Sequence, residues 1–393
     1  WTTMSFCNSL VMGASILISQ SVGAKKREDI GEYAGAMLKY NNIIPIFLCF
    51  FWMIFPKPVF MILGVSDNVM PLCLGYVRWY APLFLLTGLG GSLGVILQTS
   101  NYTKPLVVYG CVRSGLNIFL DWMLIFGNLG MPALGIKGAA IATVIAEYVG
   151  AIYISVIFFT SKKLPTRPSW NDVKKGHFQS YLNAAKLGIN IALEDFAWNI
   201  GNLILIRILN SINEYAAGIY TIIFGVEVLA VVIIGAIGSG TMTLTSEATG
   251  RKDLAQYKGI TLCAYAVCTI VTVVMIVGAV LFPEQILSLF TSDKTVIASC
   301  GGYLLLIGIN LFSKSGNIII GNAIRGSGNT KWMLFTQIFG TIWIVSVASV
   351  LVFICKLGIF GVVLAVILDE GVRALINLGK YLRIVKKWGE WNG

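Results

Sequence analysis

The stretch GCVRSGLNIFLDWMLIFG, residues 110–127, is apolar enough to cross most of a lipid bilayer, yet it carries polar and charged side chains. Arg113, Asn117 and Asp121 are spaced four residues apart, so in a helix they lie along one face. A carboxylate in the middle of a membrane is costly, and such residues by default mark the path of an ion or a substrate. The stretch therefore predicts a membrane-spanning helix whose acidic residue takes part in transport.

The composition of the whole chain agrees with this interpretation. Of the 393 residues, 56% are hydrophobic and 12% are charged, and the mean hydropathy is +0.80. Soluble domains carry about 25% charged residues, so we predict an all-α integral membrane protein. The single histidine, His177, argues against a catalytic triad or a multi-histidine metal site. The eight cysteines form no C-x-x-C pair and are interpreted as small hydrophobic residues.

Apolar runs of about 20 residues are long enough to span the hydrocarbon core. The sequence contains eleven of them. Their approximate bounds are 1–21, 32–55, 68–98, 105–127, 136–160, 184–209, 214–244, 256–282, 295–324, 331–355 and 358–384.

The connections between these runs alternate in charge. Those at 22–31, 98–105, 161–180, 250–258 and 325–331, together with the tail 378–393, hold 18 Lys and Arg residues, whereas the other connections hold 4. Cytoplasmic loops of membrane proteins are enriched in Lys and Arg. The first set, and with it the C-terminus, is therefore predicted to be cytoplasmic. In this setting the net charge of +11 reflects loop bias and predicts no nucleic-acid partner.

The chain also contains an internal repeat. Ser19, Gly23, Phe55, Pro56, Gly75, Tyr76, Ser100, Thr103 and Lys104 recur 227 positions later as Ser246, Gly250, Phe282, Pro283, Gly302, Tyr303, Ser327, Thr330 and Lys331. After a four-residue deletion, Gly135, Gly138 and Glu147 recur 223 positions later as Gly358, Gly361 and Glu370. An even number of crossings separates the copies, so the repeat is parallel, with a solute site expected at the interface of the two lobes.

The repeat predicts two six-helix bundles. The N-lobe would be residues 1–160 with helices 2–6, followed by a cytoplasmic linker at 161–183, and the C-lobe would be residues 184–393 with helices 7–12 and the tail. No span pairs with 184–209 in the first half, and the chain starts inside an apolar run. We therefore expect an N-lobe without its first helix, in a protein of six plus six spans.

Several motifs together resemble the MATE family of multidrug and toxic compound extrusion transporters. They are SQSVGAKKREDI (19–30), LQTSNYTKP (97–105), LNIFLDWMLIFG (116–127), GIKGAAIATVIAE (135–147) and IRGSGNTKW (324–332). The resemblance implies an antiporter that exports cationic or amphipathic compounds in exchange for Na⁺ or H⁺, as its V-shaped lobes rock between outward-open and inward-open states. It implies no enzymatic activity and no cofactor beyond the coupling ion.

The resemblance also implies a cation site in the N-lobe. In similar transporters this site combines an Asp on the first helix, an Asn and an Asp on the fifth, and a Thr on the sixth. Asn117 and Asp121 match the fifth-helix pair, and Thr143 matches the threonine. Asp121 would carry the coupling ion, Na⁺ or H⁺, with Asn117 and Thr143 as co-ligands. A structural alternative is a buried polar ladder of Arg113, Asn117 and Asp121 that only fixes packing.

The other charged residues in the spans are interpreted either as structural or as candidates for cargo binding or coupling. Glu147 and its repeat mate Glu370 are interpreted as structural, as are Arg113 and Arg373. Arg373 follows Glu370 by three residues, so the two side chains can pair on one helix. No such partner is expected for Asp369. Lys314 has two interpretations, a fixed counter-charge that replaces a bound cation or a side chain that snorkels to the inner surface. The candidates for cargo binding or coupling are Glu194, Asp195, Glu227, Asp369 and Lys314.

Two other functions remain open on the sequence. One is a lipid-linked oligosaccharide or lipid flippase of the same superfamily, which a cavity rich in Arg and Lys would favour. The other, an ion channel or receptor, is opposed by the six-plus-six repeat. We expect a monomer in the cytoplasmic membrane of a prokaryote, with small cationic or amphipathic molecules and membrane lipids as its partners.

Overall fold

A computed structural model describes residues 2–213 and 215–391 of the chain. The described residues form α-helices joined by short connections, with 3₁₀ turns at Ala81–Leu83 and Asn128–Gly130 and a π-helical turn at Val350–Ile354. The helices are α1 Thr2–Gly23, α2 Arg27–Tyr40, α3 Ile43–Ile54, α4 Pro56–Ile62, α5 Met70–Tyr80, α6 Phe84–Thr99, α7 Lys104–Phe126, α8 Ile136–Thr160, α9 Trp170–Lys175, α10 Phe178–Asn210, α11 Ala216–Arg251, α12 Leu254–Leu281, α13 Pro283–Ser288, α14 Lys294–Gly326, α15 Thr330–Ser349 and α16 Gly358–Trp391.

Each of the eleven predicted spans coincides with a long helix or with two consecutive helices, which confirms the all-α fold. Residue 214, where the seventh predicted span begins, lies outside the described residues, as do the chain ends at 1 and 392–393. Eight of the described helical segments are long and apolar enough to cross a membrane. The other three, α7, α10 and α16, carry charged side chains inside their predicted spans.

Two of the predicted spans are interrupted by proline. Pro45 and Pro82 have no backbone N–H, and in a continuous helix each proline ring would clash with the carbonyl group four residues earlier. The second span accordingly divides into α2 and α3 at Asn41, whose side-chain amide donates to the Gly88 carbonyl (3.1 Å) and to Ser92 (3.2 Å). The third span passes through the 3₁₀ turn at Ala81–Leu83.

The backbone repeats the register of the sequence. Short helices α4 and α13 each begin at a proline, and the two prolines are repeat mates. Left-handed φ angles recur in matching positions. The pairs are Lys25 (56°) with Lys252 (58°), Asn101 (55°) with Gly328 (86°), and Gly135 (54°) with Gly358 (57°). The duplication seen in the residues is therefore also a duplication of local structure.

The chain divides into two compact units. The first contains residues 3–22 and 26–189, and the second contains residues from 190 onward, together with 2 and 23–25. In the first unit, buried side chains of α1, α2, α6 and α8 form one apolar core. Helix α1 approaches α10 closely through Gly13 and Gly188, since a Cβ on Gly13 would lie 2.2 Å from the Ala184 carbonyl oxygen.

The predicted linker 161–183 packs within the first unit and contains α9. The guanidinium of Arg27 donates to the carbonyl groups of Pro165 and Arg167, and Lys39 donates to the Lys174 carbonyl (3.1 Å). The boundary between the two units falls inside α10. The cytoplasmic position of this segment and the limits of the two lobes stay predictions.

In the second unit, α14 is central and packs against α11, α12 and α16, while α15 packs against α16. Aspartates cap two of these helices. Asp253 accepts from the Gln256 N–H at the start of α12, and Asp293 accepts from the Thr295 N–H at the start of α14. Asp293 lies just outside the span, and its hydrogen bonds from Thr295 hold the pKa of its carboxyl group below the ordinary value. Because α14 packs against α16, Lys314 and Asn317 of α14 lie next to Glu370 of α16.

Candidate functional site

The first candidate site lies on α7 and α8. The side-chain amide of Asn117 lies 3.4 Å from Oγ1 of Thr143, whose hydroxyl donates to the Ala139 carbonyl (2.9 Å). Asp121 is one turn further along α7, and its Oδ1 atom is buried with no hydrogen-bond partner among the described residues. Such an atom is costly unless a cation or a proton satisfies it. Carboxylate, amide and hydroxyl oxygens are the ligands that hard cations prefer.

Arg113, on the same face of α7, is engaged elsewhere. Its Nη1 lies 3.0 Å from Oε2 of Glu147, the guanidinium lies 5.8 Å from the centre of the Tyr109 ring, and the Tyr109 hydroxyl donates to Glu147 (2.6 Å). The arginine therefore has its own acidic partner on α8. The structural alternative, a polar ladder of Arg113, Asn117 and Asp121 that only fixes packing, stays a prediction.

The second unit holds a larger charged cluster, which begins at Lys314 on α14. Its Nζ lies 3.0 Å from Oε1 of Glu227 and 3.8 Å from Oε1 of Glu370, and it lies 5.9 Å from the centre of the Phe224 ring. The lysine side chain is 12% exposed. The snorkelling interpretation of Lys314 is therefore wrong, because two buried carboxylates hold the ammonium group inside the unit.

Arg373 extends this cluster along α16. Its Nη2 lies 3.1 Å from Oε1 of Glu370, as the i+3 spacing indicates, and 2.8 Å from Oδ2 of Asp369. The expectation that Asp369 lacks a partner is wrong, because positions i+3 and i+4 are both within reach on a helix and one guanidinium serves both acids. Arg373 also donates to Oε1 of Gln337 (2.8 Å), whereas Oδ1 of Asp369 has no partner among the described residues.

Buried amides complete the cluster, and the sequence interpretation missed them. Asn310 donates to Glu227 (2.9 Å), Asn317 donates to Glu370 (2.8 Å), and Asn377 donates to Asn317 (2.7 Å). A signal for them exists, because Asn310, Lys314 and Asn317 follow the i, i+4, i+7 spacing of a single helix face. Polar residues at that spacing in an apolar span predict a shared network.

Glu194 and Asp195 lie next to each other on α10. Glu194 receives two hydrogen bonds from the guanidinium of Arg325, one of them 3.3 Å long from Nε. The backbone carbonyl of Asp195 accepts from the Asn199 side chain (2.7 Å). Glu194 therefore already has a cationic partner in Arg325.

A cavity of about 40 Å³ borders the cluster, with Trp198 and Phe224 among its lining residues beside Lys314, Asp369 and Arg373. Pockets that bind drug-sized ligands measure roughly 300–1,000 Å³. The cavity has space for water but not for an organic cargo. Among residues 2–213 and 215–391, no group of three or more His, Cys, Asp or Glu side chains is placed to hold a metal ion.

The repeat relates the two charged sites in an unexpected way. Arg113 on α7 matches Gly340 on α15, whereas Arg373 on α16 matches Gly150 on α8. Each unit thus pairs its repeated glutamate with an arginine, but the arginine comes from a different helix in each unit. The glycine on the opposite helix leaves room, since a Cβ on Gly340 would lie 2.4 Å from Cδ of Arg373.

The residues of the first candidate site have no polar counterparts in the second unit. Asn117, Asp121 and Thr143 match Ile344, Ala348 and Val366. The repeated glutamates thus form ion pairs with arginine in both units, whereas the unpaired acid is present in one. This difference supports a structural role for Glu147 and Glu370 and a separate role for Asp121, and both assignments stay predictions.

The contact at Gly340 gives a stability prediction. We expect Gly340→Ala to lower the free energy of unfolding by about 1–3 kcal/mol, because the added methyl group overlaps both Arg373 and Asp369. The matched control is Gly278→Ala in α12, where nothing lies within 4 Å of an added Cβ. Thermal unfolding of the purified variants in detergent measures both. Equal melting temperatures for the two variants would contradict the close packing described.

Comparisons with known proteins agree with this architecture. The MatE family model matches residues 1–123 and 190–351. The probable multidrug resistance protein NorM of Thermotoga maritima is 27% identical, over 100% of this chain and 83% of that protein. The probable multidrug resistance protein YoeA of Bacillus subtilis is 26% identical, over 98% of this chain and 83% of that protein.

Solved structures show the same fold. An outward-facing multidrug resistance MATE family transporter superimposes with a TM-score of 0.89 at 19% identity, over 99% of this chain and 86% of that one. A MATE crystal structure in the bent conformation gives a TM-score of 0.88 at 18% identity, with the same coverage. Since the family model covers well over half of the sequence, this multi-pass chain belongs to the MATE family of membrane transporters.

Proposed function

We propose that the protein is a secondary active multidrug efflux antiporter, which exports cationic or amphipathic small molecules in exchange for Na⁺ or H⁺. The observation that carries the proposal is the buried, unpartnered Oδ1 of Asp121, one turn from the hydrogen-bonded Asn117 and Thr143. A buried carboxylate oxygen without a partner is costly in an apolar span unless a cation or a proton satisfies it. The names of the relatives as multidrug resistance proteins support the choice of cargo.

Coupling follows from differential affinity. A ligand shifts a conformational equilibrium only to the extent that it binds the two states unequally. We propose that occupancy of Asp121 biases alternating access of the two lobes, so that the bound cation and the cargo drive opposite states. Asn117 and Thr143 would supply further oxygen ligands to Na⁺, or hydrogen bonds that orient the carboxyl group for a proton.

The residues of the second unit are assigned to the architecture of that lobe. Lys314 and Arg373 form ion pairs with Glu227, Glu370 and Asp369, so each of these carboxylates already has a cationic side chain as its partner. We further propose that the protein works as a monomer in a prokaryotic cytoplasmic membrane, with the C-terminus inside. It would need no cofactor other than the coupling ion and would bind no nucleic acid.

The lipid-linked oligosaccharide flippase is the second candidate function. It would be favoured by a site in which arginine and lysine dominate. The charged cluster of the second unit contains two basic side chains, Lys314 and Arg373, against three acids, Glu227, Asp369 and Glu370. This cluster therefore lacks the excess of arginine and lysine that would favour a flippase.

Transport in proteoliposomes tests the proposed function. We expect a cationic fluorescent dye to be moved when a Na⁺ gradient or a pH gradient is imposed, and to stop moving when a matching ionophore collapses that gradient. The gradient that drives transport identifies the coupling ion. Liposomes without protein give the leak rate. Dye movement that ignores both gradients would contradict antiport.

A further inference from the structure

A basic cavity of about 380 Å³ lies between the last turns of α16 and the connection that follows α14. Lys380, Arg383 and Lys387 line it from α16, where their i, i+3, i+7 spacing places them on one side of the helix. Ser327 and Asn329 line it from the connection. The cavity is remote in sequence from Asp121, and none of its lining residues belongs to the charged cluster around Lys314.

Aromatic packing holds the last turns of α16 against α12. The ring of Tyr257 on α12 lies 5.6 Å from that of Tyr381 and 5.1 Å from that of Trp388. The Tyr257 hydroxyl donates to the Ala323 carbonyl on α14 (2.9 Å), and Ile384 is 8% exposed. The last turns of α16 are thus held against α12, which in turn is hydrogen-bonded to α14, so the part of the helix that carries the three basic residues is fixed within the second unit.

The positive charge of the cavity has no acidic partner among residues 2–213 and 215–391. No aspartate or glutamate lines it. In the described part of α16 beyond Asn377, the ion pair formed is that of Lys386 with Glu390 (4.0 Å), and Lys386 does not line the cavity. The Lys380 ammonium lies 4.9 Å from the centre of the Trp332 ring, which leaves its hydrogen-bonding capacity free for an anion.

Three unpaired cationic side chains around a small cavity match a phosphate group, because guanidinium and ammonium donors bind phosphate oxygens by charge-assisted hydrogen bonds. The surroundings favour a lipid as the source of this phosphate. Leu375 and Leu382 on α16 are 70% and 55% exposed, and Phe335, one turn from Trp332 on α15, is 66% exposed. Exposed apolar side chains next to a tryptophan and basic residues are typical of the boundary between hydrocarbon and headgroups.

We propose that this cavity binds the phosphate headgroup of an anionic phospholipid, with the acyl chains against the exposed apolar surface of α15 and α16. Lys380, Arg383 and Lys387 contact the phosphate oxygens, and the side chains of Ser327 and Asn329 offer further hydrogen bonds. The assignment depends on the chain being a membrane protein and is independent of the cargo and the coupling ion.

Lipid titration of the purified protein in detergent tests the proposal. Phosphatidylglycerol raises the melting temperature of the unmodified protein, whereas phosphatidylcholine does not, because its headgroup carries no net charge. The triple variant Lys380→Gln, Arg383→Gln, Lys387→Gln binds phosphatidylglycerol about a hundredfold more weakly, as expected for three basic contacts at a membrane surface. Its melting temperature without added lipid matches that of the unmodified protein, which shows that it folds.

Two further variants and one soluble anion serve as controls. Lys386→Gln removes an 81% exposed lysine of the same helix outside the cavity and keeps the lipid effect. Lys380→Arg with Lys387→Arg preserves the charge and also keeps it. Sodium phosphate at millimolar concentration leaves the melting temperature unchanged. An equal response to sodium phosphate, or an equal loss in Lys386→Gln and in the triple variant, would overturn the headgroup assignment.

Discussion

Replacing Asp121 by asparagine is expected to reduce gradient-driven dye efflux to the leak rate of protein-free liposomes. Asparagine has nearly the same shape but carries no charge and does not exchange a proton, so the occupied and empty states of the site no longer differ. The neighbouring contacts are kept in this variant, because Arg113 is paired with Glu147 and Asn117 is hydrogen-bonded to Thr143. Since Oδ1 of Asp121 has no partner among the described residues, the variant breaks no protein contact of that atom.

The matched control for Asp121→Asn is Asp67→Asn, the same chemical change in the exposed connection between α4 and α5. It is expected to transport at the normal rate. Binding of Na⁺ to the purified protein, followed by its effect on the melting temperature, provides a readout that does not depend on transport. Normal efflux by Asp121→Asn would remove Asp121 from the mechanism, whatever the control does.

The fold followed from two simple signals in the sequence. Apolar run length located all eleven long helical segments, and the repeat offsets of 227 and 223 residues are also the offsets at which positive φ angles recur. The left-handed residues Lys25 and Lys252 illustrate this, since neither is a glycine and both end a helix at the same repeat position. The break between α2 and α3 was not predicted, because the apolar run at 32–55 continues through Pro45.

The partners of the charged residues were harder to predict, because they depend on how helices face one another. Arg113 pairs with Glu147, 34 positions away, and Lys314 pairs with Glu227, 87 positions away. Helix spacing limits the candidates within one helix but not between helices. Asp369 shows the limit even within a helix, because Arg373 reaches both i−3 and i−4 positions and side-chain rotamers decide the outcome.

Removing the ammonium group of Lys314 is expected to have the largest effect on stability. In Lys314→Met, Glu227 is left 4% exposed with the Asn310 amide as its remaining described partner, while Glu370 keeps Arg373 and Asn317. Breaking a buried ion pair by removing one partner costs about 3–5 kcal/mol. Thermal unfolding in detergent should therefore show a large drop in melting temperature. The double variant Lys314→Met, Glu227→Gln should recover most of it, because no unpaired charge is left at that contact.

The proposal that the second unit needs no coupling ion depends on the same contact, since Lys314 lies between the carboxylates of Glu227 and Glu370. In Lys314→Ala the shorter side chain would leave an empty space between the carboxylates of Glu227 and Glu370. Na⁺ should bind there, and it should therefore raise the melting temperature of this variant more than that of the unmodified protein. Lys258→Ala, at an exposed lysine of α12, is the control and should show no such gain. If Lys314→Met unfolds at the normal temperature and Lys314→Ala ignores Na⁺, the lysine does not serve as an internal counter-ion.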